Sequence, residues 1–510
     1  MNARTQRAIV TGSIMLATVM QTLDSTIANV ALPHMQGTMS ATQDQIAWVL
    51  TSYIIAAAIA TPATGFLSQR FGRKRLLAIS IIGFTLTSML CGAAQTLEEI
   101  VIFRLLQGAC GAAFVPLSQA IMLDSYSMDQ RGKMMALWGV GVMVGPIVGP
   151  ALGGWLTDSY SWRWVFYINV PFGILAFIGV MVALTESKLD FLRKFDWMGF
   201  AFLSIAVASM QLMLDRGSLE DWFSSNEIIF EALLSAFAFY LFITHSFTTQ
   251  TPFINLALFK DRNLVVGVTM MFIVGLVLYA TMALMPPYLE TLMGYPVTTT
   301  GLVLAPRGIG TMAAMMLAGR IINRVDMRHI IAFGLALSSF SLYQMAQFNL
   351  DVSERTIIIT GIVQGFGLGF IFAPLTTISF ATLSPHLRAD GTGIYSLMRN
   401  VGSSVGISAA LALVANYTQI NHANMAERVD PTNPIFRSAA MPAGLSLNSP
   451  MGMAFLDGEI TRQAAAIAYL NDFRLMMYMT ALIVPLVYLL RSPEMTPAAM
   501  EEAAKHAVMD

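Results

Sequence analysis

Apolar residues in this chain come in long unbroken runs separated by short polar connections, not in strict alternation. A run of about 20 apolar residues at 1.5 Å per residue matches the roughly 30 Å hydrocarbon core of a bilayer. Helices are predicted at Ala8–Ala31, Ile46–Leu67, Leu76–Ala94, Ile100–Met122, Met134–Leu156 and Trp164–Leu184. Two more are predicted at Trp197–Leu214 and Ile228–Thr244. A last six follow at Leu264–Met285, Gly301–Ile322, Ile330–Phe348, Ile357–Phe380, Ile394–Ala415 and Ile467–Leu490. Strands of a closed barrel would alternate apolar and polar positions, and these runs do not. In lipid every backbone polar group must be satisfied within the protein, so continuous apolar runs mean helices.

Composition agrees with a membrane solvent. The chain of 510 residues is 56% hydrophobic and 12% charged, against about 25% charged in soluble domains. No cleavable signal peptide is evident, and the first run reads as an uncleaved span. Of the lysines and arginines, 19 fall on the side that holds Arg4 and Arg7 and 7 on the other, where no lysine lies. Positive residues stay inside. The chain is therefore expected to be multi-pass with both termini cytoplasmic.

The two ends of the chain resemble each other. Gln107-Gly108, Pro116-Leu117 and Arg131 recur as Gln364-Gly365, Pro374-Leu375 and Arg388. Gly65 to Arg70 has a partner in Gly319 to Arg324, and Pro33, which is expected to end the first span, has one in Pro287. Repeated halves with a site at the midplane are a common transporter plan. The expected fold is an all-α membrane protein of two six-helix pseudo-repeat bundles with two inserted helices between them. Residues 1–190 form the first bundle, 191–260 the inserted pair, and 261–510 the second bundle, with a long outer loop at 416–466. That loop holds Pro431, Pro434, Pro442 and Pro450 and a short amphipathic stretch near Glu459–Ala466.

Ionisable residues inside a span are costly and mark function by default. Four stand out: Asp24, Arg104, Arg307 and Arg399. A carboxylate between desolvation and a nearby cation can load and release a proton, whereas a guanidinium keeps its proton. Asp24 is thus the expected proton-coupling residue, with Arg104 tuning it. Asn29, Gln107, Gln119, Arg307, Gln364, Arg399 and Asn400 are the expected polar lining of a central substrate cavity. Gly141, Gly145, Gly149 and Gly153, with Pro146, form a small-residue stripe on one helix face, suited to close packing of a neighbouring helix or a second copy. The six histidines show no metal-ligand spacing. Cys91 and Cys110 lie inside spans and read as buried apolar residues, and Gly365-Phe366-Gly367-Leu368-Gly369 lacks the preceding strand of a dinucleotide loop. No cofactor, metal, nucleic acid or enzymatic activity is expected, and no phosphate loop points to ATP.

Gly65-Phe66-Leu67-Ser68-Gln69-Arg70-Phe71-Gly72-Arg73-Lys74 resembles the signature loop of the major facilitator superfamily. Arg104-Leu105-Leu106-Gln107-Gly108 is similar to its fourth-helix motif, and Gly145 to Gly154 to the antiporter motif of its fifth helix. Leu23-Asp24 through Pro33 and Trp162-Arg163-Trp164-Val165-Phe166-Tyr167-Ile168-Asn169-Val170-Pro171 resemble signatures of the fourteen-helix drug:proton antiporters. Leu214-Asp215-Arg216-Gly217 and Asp221 to Ser225 resemble the EmrB-like branch of those multidrug pumps. The resemblance implies proton-coupled export of hydrophobic or amphipathic drugs by alternating access. It also implies gating roles for Gly65, Arg70, Gly72 and Arg73, and partners in a periplasmic adaptor of the EmrA type and an outer-membrane channel of the TolC type. A symporter or importer of one small nutrient on the same scaffold is the alternative. One position departs: the signature loop has an acid where this chain has Gln69. Either the inner lock is weaker here, or another acid such as Asp124 supplies the charge.

Overall fold

The computed structural model describes residues 2–186, 194–322, 324–384, 387–429 and 450–491. The first bundle contains α1 (Ala3–Met39), α2 (Gln43–Ala60), α3 (Ala63–Phe71), α4 (Arg73–Ala93), α5 (Leu97–Gly111), α6 (Phe114–Ser125), α7 (Met128–Ser159), α8 (Trp164–Tyr167) and α9 (Asn169–Ala183). The inserted pair is α10 (Trp197–Arg216) and α11 (Asn226–Thr248). The second bundle contains α12 (Arg262–Pro287), α13 (Val297–Ile321), α14 (Met327–Met345), α15 (Glu354–Ser379), α16 (Arg388–Ala426), α17 (Pro450–Leu482) and α18 (Val484–Val487). Eleven helices of the described residues are long and apolar enough to cross a membrane, or twelve when one bent pair counts as a span. With α1 and α14 the spans number fourteen.

Several predicted boundaries are corrected. Pro33 does not end the first span, because α1 runs through it to Met39. Proline forfeits one backbone hydrogen bond, which a long helix with a half-exposed outer turn tolerates. The second span is a bent pair, with a 59° turn between α2 and α3. The cause is Pro62, whose missing N–H breaks the ladder, while the Thr61 hydroxyl donates to the Ala57 carbonyl at 2.6 Å. After Pro286 and Pro287, α12 continues as a π-helical turn at Tyr288–Leu292, which redistributes the freed carbonyls. Both flanks of the predicted outer loop at 416–466 are helix: α16 extends to Ala426 and α17 begins at Pro450. These extensions pair with each other. The Asn421 amide donates to the Ala464 carbonyl at 3.2 Å, and His422 lies 3.0 Å from Asp457. The amphipathic stretch Glu459–Ala466 lies within α17. Pro431, Pro434 and Pro442 lie outside the described residues.

The sequence repeat is reproduced in packing. A methyl built on Gly108 would overlap the Tyr53 carbonyl oxygen, and one on Gly365 would overlap that of Arg307. In the same way, Gly145 and Gly149 of α7 press on Thr22 and Thr26 of α1. Gly402 and Gly406 of α16 press on Phe272 and Leu276 of α12. Small residues allow this approach, and dispersion between close backbones rewards it where no hydrophobic effect drives helices together. The inserted pair touches both bundles. The Thr51 hydroxyl of α2 donates to Asp215 of α10 at 2.8 Å, and the Ser408 hydroxyl of α16 donates to the Leu214 carbonyl at 2.7 Å.

Candidate functional site

Asp24 and Arg104 meet in the core of the first bundle. An Arg104 Nη1 donates to Asp24 Oδ2 at 2.6 Å. The other carboxylate oxygen accepts from Gln107 Nε2 at 2.9 Å and Asn169 Nδ2 at 2.8 Å. Arg104 also donates from Nε to the Val49 carbonyl at 3.1 Å and from Nη1 to Gln107 Oε1 at 2.9 Å. Its guanidinium lies 4.2 Å from the centre of the Tyr53 ring, a cation–π contact. Asp24, Gln107 and Asn169 are 0% exposed and Arg104 1%, so the pair is enclosed within the bundle.

Helices α1, α2, α4, α5 and α9 assemble this centre, and local sequence explains how α5 and α9 are placed. The helix of α5 starts with Thr96 and Glu99 capping each other's backbone, which sets the rotation that points Arg104 and Gln107 inward one turn apart. Arg163 donates to the Gly92 and Ala94 carbonyls at 2.8 and 2.6 Å and so closes the end of α4. That clamp fixes α8 and the start of α9, from which Asn169 reaches Asp24 and Ser88 at 2.8 and 3.0 Å. Sequence reasoning quoted Asn169 within a motif but did not assign it to the site. Its signal was an amide at the head of an otherwise apolar helix. A buried ion pair survives only when its remaining lone pairs and protons are hydrogen bonded, and this one has such partners.

The glycine stripe of α7 forms the wall behind Asp24. Methyl groups on Gly145 and Gly153 would come within 2.6 Å of Thr22 and 2.7 Å of Ile27. The Thr26 hydroxyl donates to the Gly145 carbonyl at 3.0 Å. The stripe is therefore filled by α1 within the chain and is not a face left for a second copy.

On the face that holds the N-terminus, the two bundles are locked together. Asp124 at the end of α6 pairs with Arg73 in its own bundle and with Arg388 at the start of α16 in the other. Gln69 donates to Asp390 Oδ2 at 3.4 Å, and any side chain at Gly65 would strike Asp390. Asp124 thus places a charge in the lock beside the neutral Gln69. Gly72 adopts φ +89°, and a methyl there would overlap the Glu186 carboxylate. That carboxylate accepts from the Lys74 amide at 3.2 Å, at the positive end of α4. Arg70 is half-buried beside this loop. Parallel contacts join α7 to α13, where Gly139 meets Met315 and Gly319 meets Ala136. Replacing Asp124 with Asn should loosen the lock, because a neutral amide cannot hold two guanidinium groups by charge. Cysteines introduced at Gly132 and Ile322, which touch in the closed lock, should then react several-fold faster with a water-soluble thiol reagent. Unchanged rates would assign the closure to apolar packing alone.

The predicted cavity residues differ in burial. Gln107 is enclosed in the Asp24 centre and does not line a cavity in this conformation. Gln119 and Gln364 are buried, each with an unpaired carbonyl oxygen. The Gln364 amide donates weakly to the Thr281 hydroxyl at 3.4 Å. Asn29 is exposed, on the same α1 face as Ser25. Arg307, Arg399 and Asn400 are half-buried. No carboxylate of the described residues pairs with Arg307 or Arg399, and each has a buried nitrogen without a partner. Asn400 Oδ1 lies 3.4 Å from Arg399. Among the described residues no histidine, cysteine and carboxylate cluster could hold a metal.

A family model described as Major Facilitator Superfamily matches residues 14–407. The chain is 33% identical over 492 residues to the multidrug export protein EmrB of Escherichia coli (strain K12), covering 96% of each. It is 35% identical to the probable multidrug resistance protein EmrY of the same organism, over 95% of each chain. It is 33% identical to the fatty acid resistance protein FarB of Neisseria gonorrhoeae, over 95% of this chain and 96% of that one. Among solved structures, the human organic anion transporter MFSD10 superposes with a TM-score of 0.60 at 14% identity, covering 93% of this chain and 99% of that one. The proton:xylose symporter XylE gives 0.58 at 14% identity, over 94% and 96%. These two likenesses are of fold.

Proposed function

This chain belongs to the major facilitator superfamily, and from that premise we propose that it exports hydrophobic or amphipathic compounds from the cell in exchange for protons. The observation that carries the reading is the enclosed Asp24–Arg104 pair, whose Asp24 sits on α1, the helix pressed against the glycine stripe of α7. While charged, Asp24 holds α1, α5 and α9 together through three donors. Proton uptake would remove the charge that these donors stabilise and loosen α1 from α5 and α9, so protonation and helix position are coupled. Similarity to curated multidrug export proteins over nearly the whole chain favours export over nutrient import.

The basic face is the cytoplasmic one in this reading, with both termini there and the chain in the inner membrane. Closure of the lock on that face corresponds to a stage in which the substrate path opens outward. The paired extensions of α16 and α17 would then project on the outer side, where a periplasmic adaptor leading to an outer-membrane channel could dock. Arg307 and Arg399, which pair with no acid of the described residues, give the second bundle positive charge suited to amphiphiles with an anionic head. A relative named for fatty acid resistance agrees with that preference.

Dye efflux from proteoliposomes under an imposed pH gradient tests the reading. Wild type should drive efflux, and Asp24→Asn should lose it while still binding dye. Gradient-driven efflux retained in the variant would remove Asp24 from coupling, and none in wild type would favour the importer. For the anionic preference, Arg307→Gln should raise the KM for a carboxylated dye several-fold and leave a neutral dye unaffected. An equal change for both dyes would assign Arg307 a packing role.

A further inference from the structure

We infer that Asp472, in the second bundle, is a further proton-carrying carboxyl of the transport cycle, which rests on the antiport reading above. Asp472 lies on α17, 2% exposed, and no hydrogen bond or ion pair among the described residues reaches it. Its Oδ2 is wholly enclosed. An ionised carboxylate in such a place would lack a counter-charge and most of its water, a cost of several kcal/mol. Asp24 is the contrast, equally enclosed but supplied with a guanidinium and two amides.

Its surroundings place Asp472 where a transported proton would be useful. One helical turn on, Met476 Sδ accepts from the Thr281 hydroxyl at 3.7 Å, and that hydroxyl accepts from Gln364 at 3.4 Å. Gln364 is the repeat counterpart of Gln107, the residue that holds Asp24. Each bundle therefore has a polar cluster at the matching helix junction, and each cluster lies near a buried acid. Tyr469 lies about one turn before Asp472 on the same helix, and its ring packs against that of Tyr288 on the π turn. Glu290 lies on the same π turn, two residues beyond Tyr288. The cations nearby in sequence are engaged or turned away. Arg462 bonds Glu459, Arg474 is exposed, and from α16 His422 bonds Asp457. The remaining charged groups of α14, Arg328 and His329, lie a helix length away at the basic face, with Arg328 bound to Asp326. Arg388 and Arg399 of α16 make no ion pair with Asp472, and among the described residues no hydrogen bond or ion pair from α12, α14, α16 or the π turn reaches its carboxylate. In this closed-lock state the carboxyl holds its proton. Rocking of the second bundle would open a water path, through which the proton leaves to the cytoplasm and is later replaced from outside.

Two measurements on the full-length protein test this. A hydrophobic carbodiimide adds to a protonated carboxyl in an apolar site, so mass spectrometry of labelled wild type should find the adduct on Asp472 and not on Asp24. Absence of the Asp472 adduct, with a surface carboxyl labelled as control, would overturn the proposal. In proteoliposomes, Asp472→Asn should still transport but hold a smaller steady-state dye gradient. Losing one coupled proton lowers that gradient about tenfold per imposed pH unit, since tenfold corresponds to 1.4 kcal/mol. The same gradient as wild type overturns the inference while leaving the antiport reading standing, and no gradient in wild type overturns both. If Asp472→Asn does not fold, Asp472→Glu, which keeps the carboxyl, should hold the wild-type gradient and take the label. Failure of both in that variant would also overturn the inference.

Discussion

Arg104→Ala should destabilise the protein by about 3–5 kcal/mol, because it leaves the Asp24 carboxylate enclosed without its cation. Gln107 and Asn169 would remain as donors, but two neutral amides do not replace a guanidinium at 2.6 Å. The paired variant, Asp24→Asn with Arg104→Gln, removes both charges and should recover most of that loss while remaining inactive in efflux. Thermal unfolding in detergent, followed beside a dye-efflux assay, separates the two effects. A double variant no more stable than Arg104→Ala would show that packing of the arginine stem and its ring contact with Tyr53, not the charge, holds this centre together.

The second large effect is steric. Gly145→Val would drive a branched side chain into the backbone of Thr22, where even a methyl lies within 2.6 Å of the carbonyl oxygen. Overpacking of this kind costs about 1–3 kcal/mol, and here the only relief is separation of α7 from α1. Asp24 lies two residues beyond Thr22, so its three hydrogen bonds would be stretched together. Efflux should fall at least tenfold, with the protein still inserted and folded. Gly154→Ala is the matched control, because its built methyl meets only Val30, at 3.9 Å, and activity should be unchanged. Equal activity of Gly145→Val and Gly154→Ala would remove the stripe from any part in coupling.

Much of this was legible in the sequence. Helical spans follow from run length because lipid leaves the backbone no other way to satisfy its polar groups. Asp24 and Arg104 were legible as a pair of costly charges, and Asp124 as a replacement acid, because their chemistry is expensive wherever it is placed. What was missed depended on rotation and distance. Asn169 is one amide among many until Arg163 ties down α4 and turns α9 toward Asp24. Asp472 lies inside a predicted span, yet its lack of partners is a statement about its neighbours. The second stripe, Gly402 and Gly406, was hidden because an ordinary spacing of small residues gains meaning only from the backbone pressed against it. The outer loop was misread for a related reason. The helical extensions around it are polar enough to look like connection, and it is pairing between them, as at Asn421 and Ala464, that supports the helix.

By itself, then, the sequence determined the solvent, the number of spans, the doubling of the chain and the presence of an acid, Asp24, inside the first span. These depend on composition along the chain, which a one-dimensional reading can sum. Only the tertiary structure decided that Arg104 is enclosed and not at the interface, that Gln107 serves Asp24, and that Arg388 crosses to Asp124. It also decided that Arg307, Arg399 and Asp472 find no counter-charge among the described residues. Electrostatic interactions act over a few ångströms between residues that are often far apart in the chain, so whether a buried charge is paired is known only once the helices are packed.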